Sequence, residues 1–155
     1  MNKAPIPEDL SAAMAGVRQQ AAWSFLLCAP VLGAAVWWLP RQLEFPAEMA
    51  ERLAFAARAS LFVVLWVLIA VGTIARLRRK TPQDNAGSAY GPPTEQIKVP
   101  LAFLQNTLEQ AVLASFAILA LATVEGEAPL AYIVGMVALF AIGRITFRRG
   151  YPRGA

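Results

Sequence analysis

The sequence predicts an all-α fold, an integral membrane bundle of four helices. Three observations predict it. The 155-residue chain is 57% hydrophobic, above the roughly 45–50% of an ordinary soluble domain. Its apolar residues fall into four runs, each long enough to cross a hydrocarbon core about 30 Å thick at about 1.5 Å per residue. Its charges, net +4, gather at the ends of those runs and in the connections, a pattern of membrane topology and not of a nucleic-acid stripe.

Residues 1–20 come first as an amphipathic, interfacial segment. Ile6, Leu10, Met14 and Val17 recur at helical spacing. Pro7, Glu8 and Asp9 suit a helix start and Arg18 its end. The segment reads as a short helix on the membrane surface, with a loosely ordered terminus as the alternative. Glu8 and Asp9 stand where a secretory signal would carry basic residues, so no cleavable signal is expected.

Residues 21–155 form the four-span domain. The first span, about 21–39, has Trp23 at one end and Trp37-Trp38 at the other as interfacial anchors, and Pro30 near its middle predicts a kink. The second, about 53–77, carries Arg58 within reach of its outer end, where the side chain can snorkel. The third is about 99–123 and the fourth about 130–147. The one sizeable connection, 78–98, is rich in Pro, Gly and polar residues and reads as a loop.

The positive-inside rule orients these spans. Arg76, Arg78, Arg79, Lys80 and Lys98 flank the second-to-third connection, and Arg144, Arg148, Arg149 and Arg153 mark the end of the chain. The turn 124–129 has no Lys or Arg. Both termini are therefore expected on the cytoplasmic side.

Composition also removes several chemistries. There is one cysteine, Cys28, and no histidine. No internal disulfide and no Cys/His metal cluster can form, and the commonest general base is missing. No metal and no nucleic acid is expected as a partner; membrane lipids are.

The strongest functional pointer is a polar stripe inside the third span. Asn106 and Glu109 stand at i, i+3 on one helical face, flanked by Gln105 and Gln110. A charged side chain in mid-bilayer costs about 2.5–3.5 kcal/mol on insertion scales, so Glu109 should face protein or water and have a partner. Two readings stay open: hydrogen-bonding glue between helices, or a polar ligand site open to the cytoplasm. Arg144, Arg148 and Tyr151 share one face of the fourth span. Arg144 lies deepest, within an apolar string. Glu109, the one acidic residue in the cytoplasmic half of any span, is its expected partner. Alternatively, the planar Arg144 fork could clamp a ligand carboxylate.

These strings resemble a known family. Gln105-Asn106-Thr107-Leu108-Glu109-Gln110, the later Arg144-x-x-Phe147-x-x-Gly150-Tyr151, and Gly91-Pro92-Pro93 before the third span look like the MAPEG family, the membrane-associated proteins in eicosanoid and glutathione metabolism. The resemblance covers about residues 53–153. It implies a MAPEG-like bundle of a bacterial-type member in the inner membrane. It also implies a homotrimer, with glutathione as cosubstrate between subunits on the cytoplasmic side. Asn106, Glu109 and Tyr151 would then bind substrate. Arg144 and Arg153 would be the catalytic cations stabilising a thiolate that attacks a lipophilic electrophile, in a glutathione-dependent transferase or peroxidase.

The pattern departs from the family at named positions. Glutathione-using members commonly carry an arginine where this chain has Ala102, and many a tyrosine where it has Phe147. The extra span precedes the motif-bearing helices instead of following them. The rival expectation is a non-catalytic membrane protein whose Asn/Glu/Arg stripe serves trimer packing or lipid-headgroup binding.

Overall fold

The computed structural model of the protein describes residues 10–87 and 91–150. Its elements are α1 (Leu10–Trp38), a 3-10 turn (Leu39–Arg41), α2 (Met49–Arg78), the single turn α3 (Pro82–Asn85), α4 (Glu95–Ala122) and α5 (Ala128–Gly150). Among the described residues, four helices are long and apolar enough to cross a membrane. The chain is an integral membrane protein, and its outward faces fit that solvent: Phe25, Leu61 and Phe116 are all about two-thirds exposed or more.

α1 runs unbroken from Leu10 through Pro30 to Trp38, so from Leu10 onward the expected surface helix and first span are one element. Residues 1–9, including Ile6 and Pro7, lie outside the described residues.

α2 and α4 make the principal antiparallel pair. Their facing residues are small or β-branched: Ala56, Val63, Ala70 and Ile74 on α2, and Thr107, Ala111, Ile118 and Ala122 on α4 are all buried. Lipid offers helices no hydrophobic reason to associate, so close van der Waals contact must supply it, and alanine lets two backbones approach. α5 closes this core with Leu130 and Ile133, both fully buried.

α1 is held chiefly by α5. The contact is tightest at Gly135, where an added Cβ would stand 3.1 Å from both Ala35 Cβ and Leu32 Cδ2. At that spacing a larger residue requires the Leu32 and Ala35 side chains of α1 to give by a few tenths of an ångström.

α4 is pinned at both ends by side chains from earlier in the chain. At its C-terminus the Arg52 guanidinium, 3% exposed, donates to the carbonyls of Ala122 (2.9 Å), Gly126 (2.8 Å), Pro46 (3.3 Å) and Val124. The last carbonyls of a helix lack intrahelical partners, and here an arginine from α2 supplies them. The turn it holds includes Gly126 at φ +89°, in the left-handed region that suits glycine. At the N-terminus of α4 the Asp84 carboxylate accepts from Thr94 N (3.0 Å) and from the Thr94 hydroxyl (2.6 Å). Those hydrogen bonds, the backbone one foremost, hold the Asp84 carboxyl below its ordinary range. Pairing α2, α4 and α5 antiparallel gathers Arg76, Arg78, Arg79, Lys80, Lys98, Arg148 and Arg149 at one end of the bundle.

Candidate ligand site between α4 and α5

Asn106 sits about three turns into α4 from the basic end, and Arg144 about two turns back from the end of α5. Antiparallel packing brings them level. The Arg144 Nη1 donates to the Asn106 Oδ1 at 2.7 Å and reaches the Thr107 Oγ1 at 3.5 Å. The guanidinium also lies over the rings of Phe140 and Phe147, at 5.3 and 5.4 Å from their centroids. A cation against the negative face of an aromatic ring is stabilised without an anion. Phe147 in turn stacks on Phe103 of α4, centroids 5.9 Å apart. The Arg144 Nε is buried and makes no hydrogen bond. One donor of the fork is thus left over in a half-buried, otherwise apolar niche.

Glu109 is not the partner of Arg144. Its carboxylate is exposed on the flank of α4, where it accepts from the Gln105 Nε2 at 3.2 Å. The only ion pair among the described residues is Lys98–Glu95, at the first turn of α4. The cause is rotational. Successive residues advance by about 100° around an α-helix, so Thr107 and Glu109 diverge to opposite sides of Asn106. Arg144 approaches between Asn106 and Thr107, and Glu109 turns outward. An i, i+3 pair shares a broad face, but a neighbouring helix can engage one member and leave the other.

Of the residues singled out from the sequence, Asn106 and Arg144 are brought together and Glu109 stands beside them on the same helix. Tyr151 and Arg153 lie outside the described residues. Ala102 and Phe103 are adjacent on α4, and Phe103 is buried against Phe147. The position of Phe147 is thus filled by an aromatic contact that needs no hydroxyl.

Thr107 was not foreseen. It is fully buried and supplies the second acceptor near Arg144. Its signal was a hydroxyl beside Asn106 in an apolar run, on the face of the buried Phe103 and Ala111 four residues either side. Arg52 is a second residue that the sequence does not single out. Nothing in its local sequence announces the four carbonyls it meets, three of which lie 70, 72 and 74 residues away.

The arrangement supplies a fixed cation with a spare donor, a carboxamide, a hydroxyl and a nearby carboxylate, near the basic end of an apolar bundle. These groups can bind a small molecule carrying both an anion and an ammonium. Residues 53–155 match the family model described as the MAPEG family. No curated protein and no solved structure matches the chain.

Proposed function

The chain belongs to the MAPEG family, and on that premise we propose that it is a glutathione-dependent transferase or peroxidase acting on lipophilic electrophiles. The observation that carries the reading is the half-buried Arg144, tied to Asn106 and left with an unused Nε donor. Charge-assisted hydrogen bonds from such a fork suit a carboxylate or thiolate. Glutathione presents both, together with an ammonium that the exposed Glu109 complements.

A nearby cation raises the thiolate fraction at neutral pH, and the thiolate is the nucleophile. In transfer, the glutathione sulfur attacks an electrophilic carbon. The new S–C bond forms as the leaving group departs with its electron pair, and the thiol proton goes to water. With a hydroperoxide, the sulfur takes the terminal oxygen and an alcohol leaves. A second glutathione then condenses with the sulfenic acid to give disulfide and water. Arg144 stabilises the thiolate in both modes, joined by Arg153. Asn106, Glu109 and Tyr151 hold the peptide.

The exposed Glu109 also favours assembly. A carboxylate facing acyl chains is costly, and a neighbouring copy that covers α4 would shield it. The proposal accordingly includes a homotrimer with sites between subunits, both termini cytoplasmic, in a bacterial inner membrane.

A second reading rests on the same contact. Arg144 with Asn106, Thr107 and two phenyl rings is a clamp between α4 and α5 that could be sufficient in itself, and Ala102 and Phe147 favour it. Thermal unfolding in mild detergent decides between them. Glutathione in excess should raise the midpoint of the wild type, as linkage requires of a ligand that prefers the folded state, and should leave R144M unmoved. A wild-type midpoint indifferent to glutathione would leave the clamp as the function of the contact.

A further inference from the structure

A second feature lies at the opposite end of the bundle and takes no part in the glutathione reading. A groove of about 770 Å³ runs between α1 and α5. Its α1 wall is a single helical stripe, including Phe25, Cys28, Ala29, Gly33, Val36 and Trp37, and Tyr132 of α5 stands across from it. From Phe25 to Trp37 the stripe rises about 18 Å, close to the roughly 15 Å of half a hydrocarbon core. The groove therefore has the length of one leaflet.

Its depth comes from small residues. A Cβ added at Gly33 meets no atom within 4 Å, so this position faces open space. At the mouth stands Arg41, exposed, its guanidinium 4.4 Å over the Trp37 ring. It forms no ion pair among the described residues. Tyr132 also lines a second cleft of about 450 Å³ on the α4 side, walled by Ala117, Leu121 and Met136. Two apolar troughs thus flank one tyrosine, and Arg41, without an ion pair among the described residues, sits at the end of the larger.

We propose that this surface binds one two-chain anionic glycerophospholipid. Its phosphate meets Arg41, one acyl chain lies along α1 from Trp37 to Phe25, and the other passes Tyr132 into the α4 cleft. Charge selects the occupant: an apolar groove alone would accept any chain, but a free guanidinium at interfacial depth selects a phosphate with net negative charge. Trp37 beneath it is the aromatic residue expected at headgroup level.

The test uses the full chain, purified in mild detergent and supplied with phosphatidylglycerol or phosphatidylcholine. Native mass spectrometry should find phosphatidylglycerol retained at one per chain and phosphatidylcholine retained severalfold less. Cys28, the one cysteine of the chain, lines the groove, and its labelling by a maleimide should slow when phosphatidylglycerol is added. R41Q should bring the two lipids to equal retention. G33L should abolish retention, while G72L, on α2 with equally open space, should not. A29F fills the same groove should G33L fail to fold. Retention unchanged in both filling variants would overturn the proposal, as would a wild type that holds the two lipids equally. A wild type that retains no lipid while G33L lowers its oligomer mass would give the groove to a second copy and overturn it equally.

Discussion

Arg144 and Asn106, 38 residues apart in the chain, meet across the α4–α5 interface through a 2.7 Å hydrogen bond, and Glu109, one turn from Asn106, has no share in it. Removing Asn106 therefore strands a half-buried cation, whereas removing Glu109 leaves the contact intact. Asn106→Leu should lower stability by about 1.5–3 kcal/mol, the range for hydrogen bonds to charged groups. Glu109→Gln should stay within about 0.5 kcal/mol, as changes away from packed or paired sites do. Denaturant titration in detergent measures both. Equal losses would mean that Glu109 carries the cation after all.

A double-mutant cycle sharpens this. R144M with N106L removes donor and acceptor together and leaves no lone charge. It should be milder than the sum of the single changes by about 0.5–3 kcal/mol, as for residues in one contact. Strict additivity would deny the bond its role in stability.

Arg52 should be the most sensitive basic residue in the protein. Three of its four carbonyl partners, on Ala122, Val124 and Gly126, belong to the α4–α5 turn and the fourth is on Pro46, and Arg52→Met leaves them to whatever water reaches the membrane surface. A loss of about 3 kcal/mol or more is expected, given about 1.5–3 kcal/mol for each hydrogen bond to a charged group. Arg52→Lys should recover only part of it, since a point ammonium cannot serve four acceptors spread around a planar fork. Limited proteolysis near Gly126 provides an independent readout, and should accelerate in both variants.

Asp84 gives a pH dependence. Its folded carboxyl titrates below the ordinary value of 3.8 because Thr94 donates to the charged form. The unfolded chain thus binds this proton at a higher pH than the folded one. The contribution of Asp84 is fully present above the unfolded value and is lost as pH falls through the folded one. Asp84→Asn should therefore flatten the acid limb of the melting curve below about pH 4. A wild-type midpoint that falls no more steeply than that of the variant would rule the linkage out.

Topology follows from the basic end of the bundle. Reporter fusions at Gly87 should register as cytoplasmic and those at Gly126 as external. The reverse pattern would place Arg144 at the outer leaflet, beyond the reach of cytoplasmic glutathione.

The sequence by itself determined the helices, their membrane character and the basic end. Hydropathy over some twenty residues and the placement of Lys and Arg are local quantities, and a bilayer imposes the rest by forbidding unpaired backbone. It also marked Asn106 and Arg144, because a polar residue in an apolar run is conspicuous wherever it folds. Tertiary structure decided which partner each polar group took. Helical periodicity placed Asn106 and Glu109 on one face, but the azimuth at which α5 meets α4 selected Asn106 and the unforeseen Thr107 and turned Glu109 outward. It likewise made Arg52 the cap of a helix whose last residue lies 70 residues later. The groove under Arg41 forms between residues of α1 and Tyr132 of α5, which only the docking of the two helices brings together. Crossing angles and helix rotations are set by how side chains interdigitate across an interface, and no single helix carries that information.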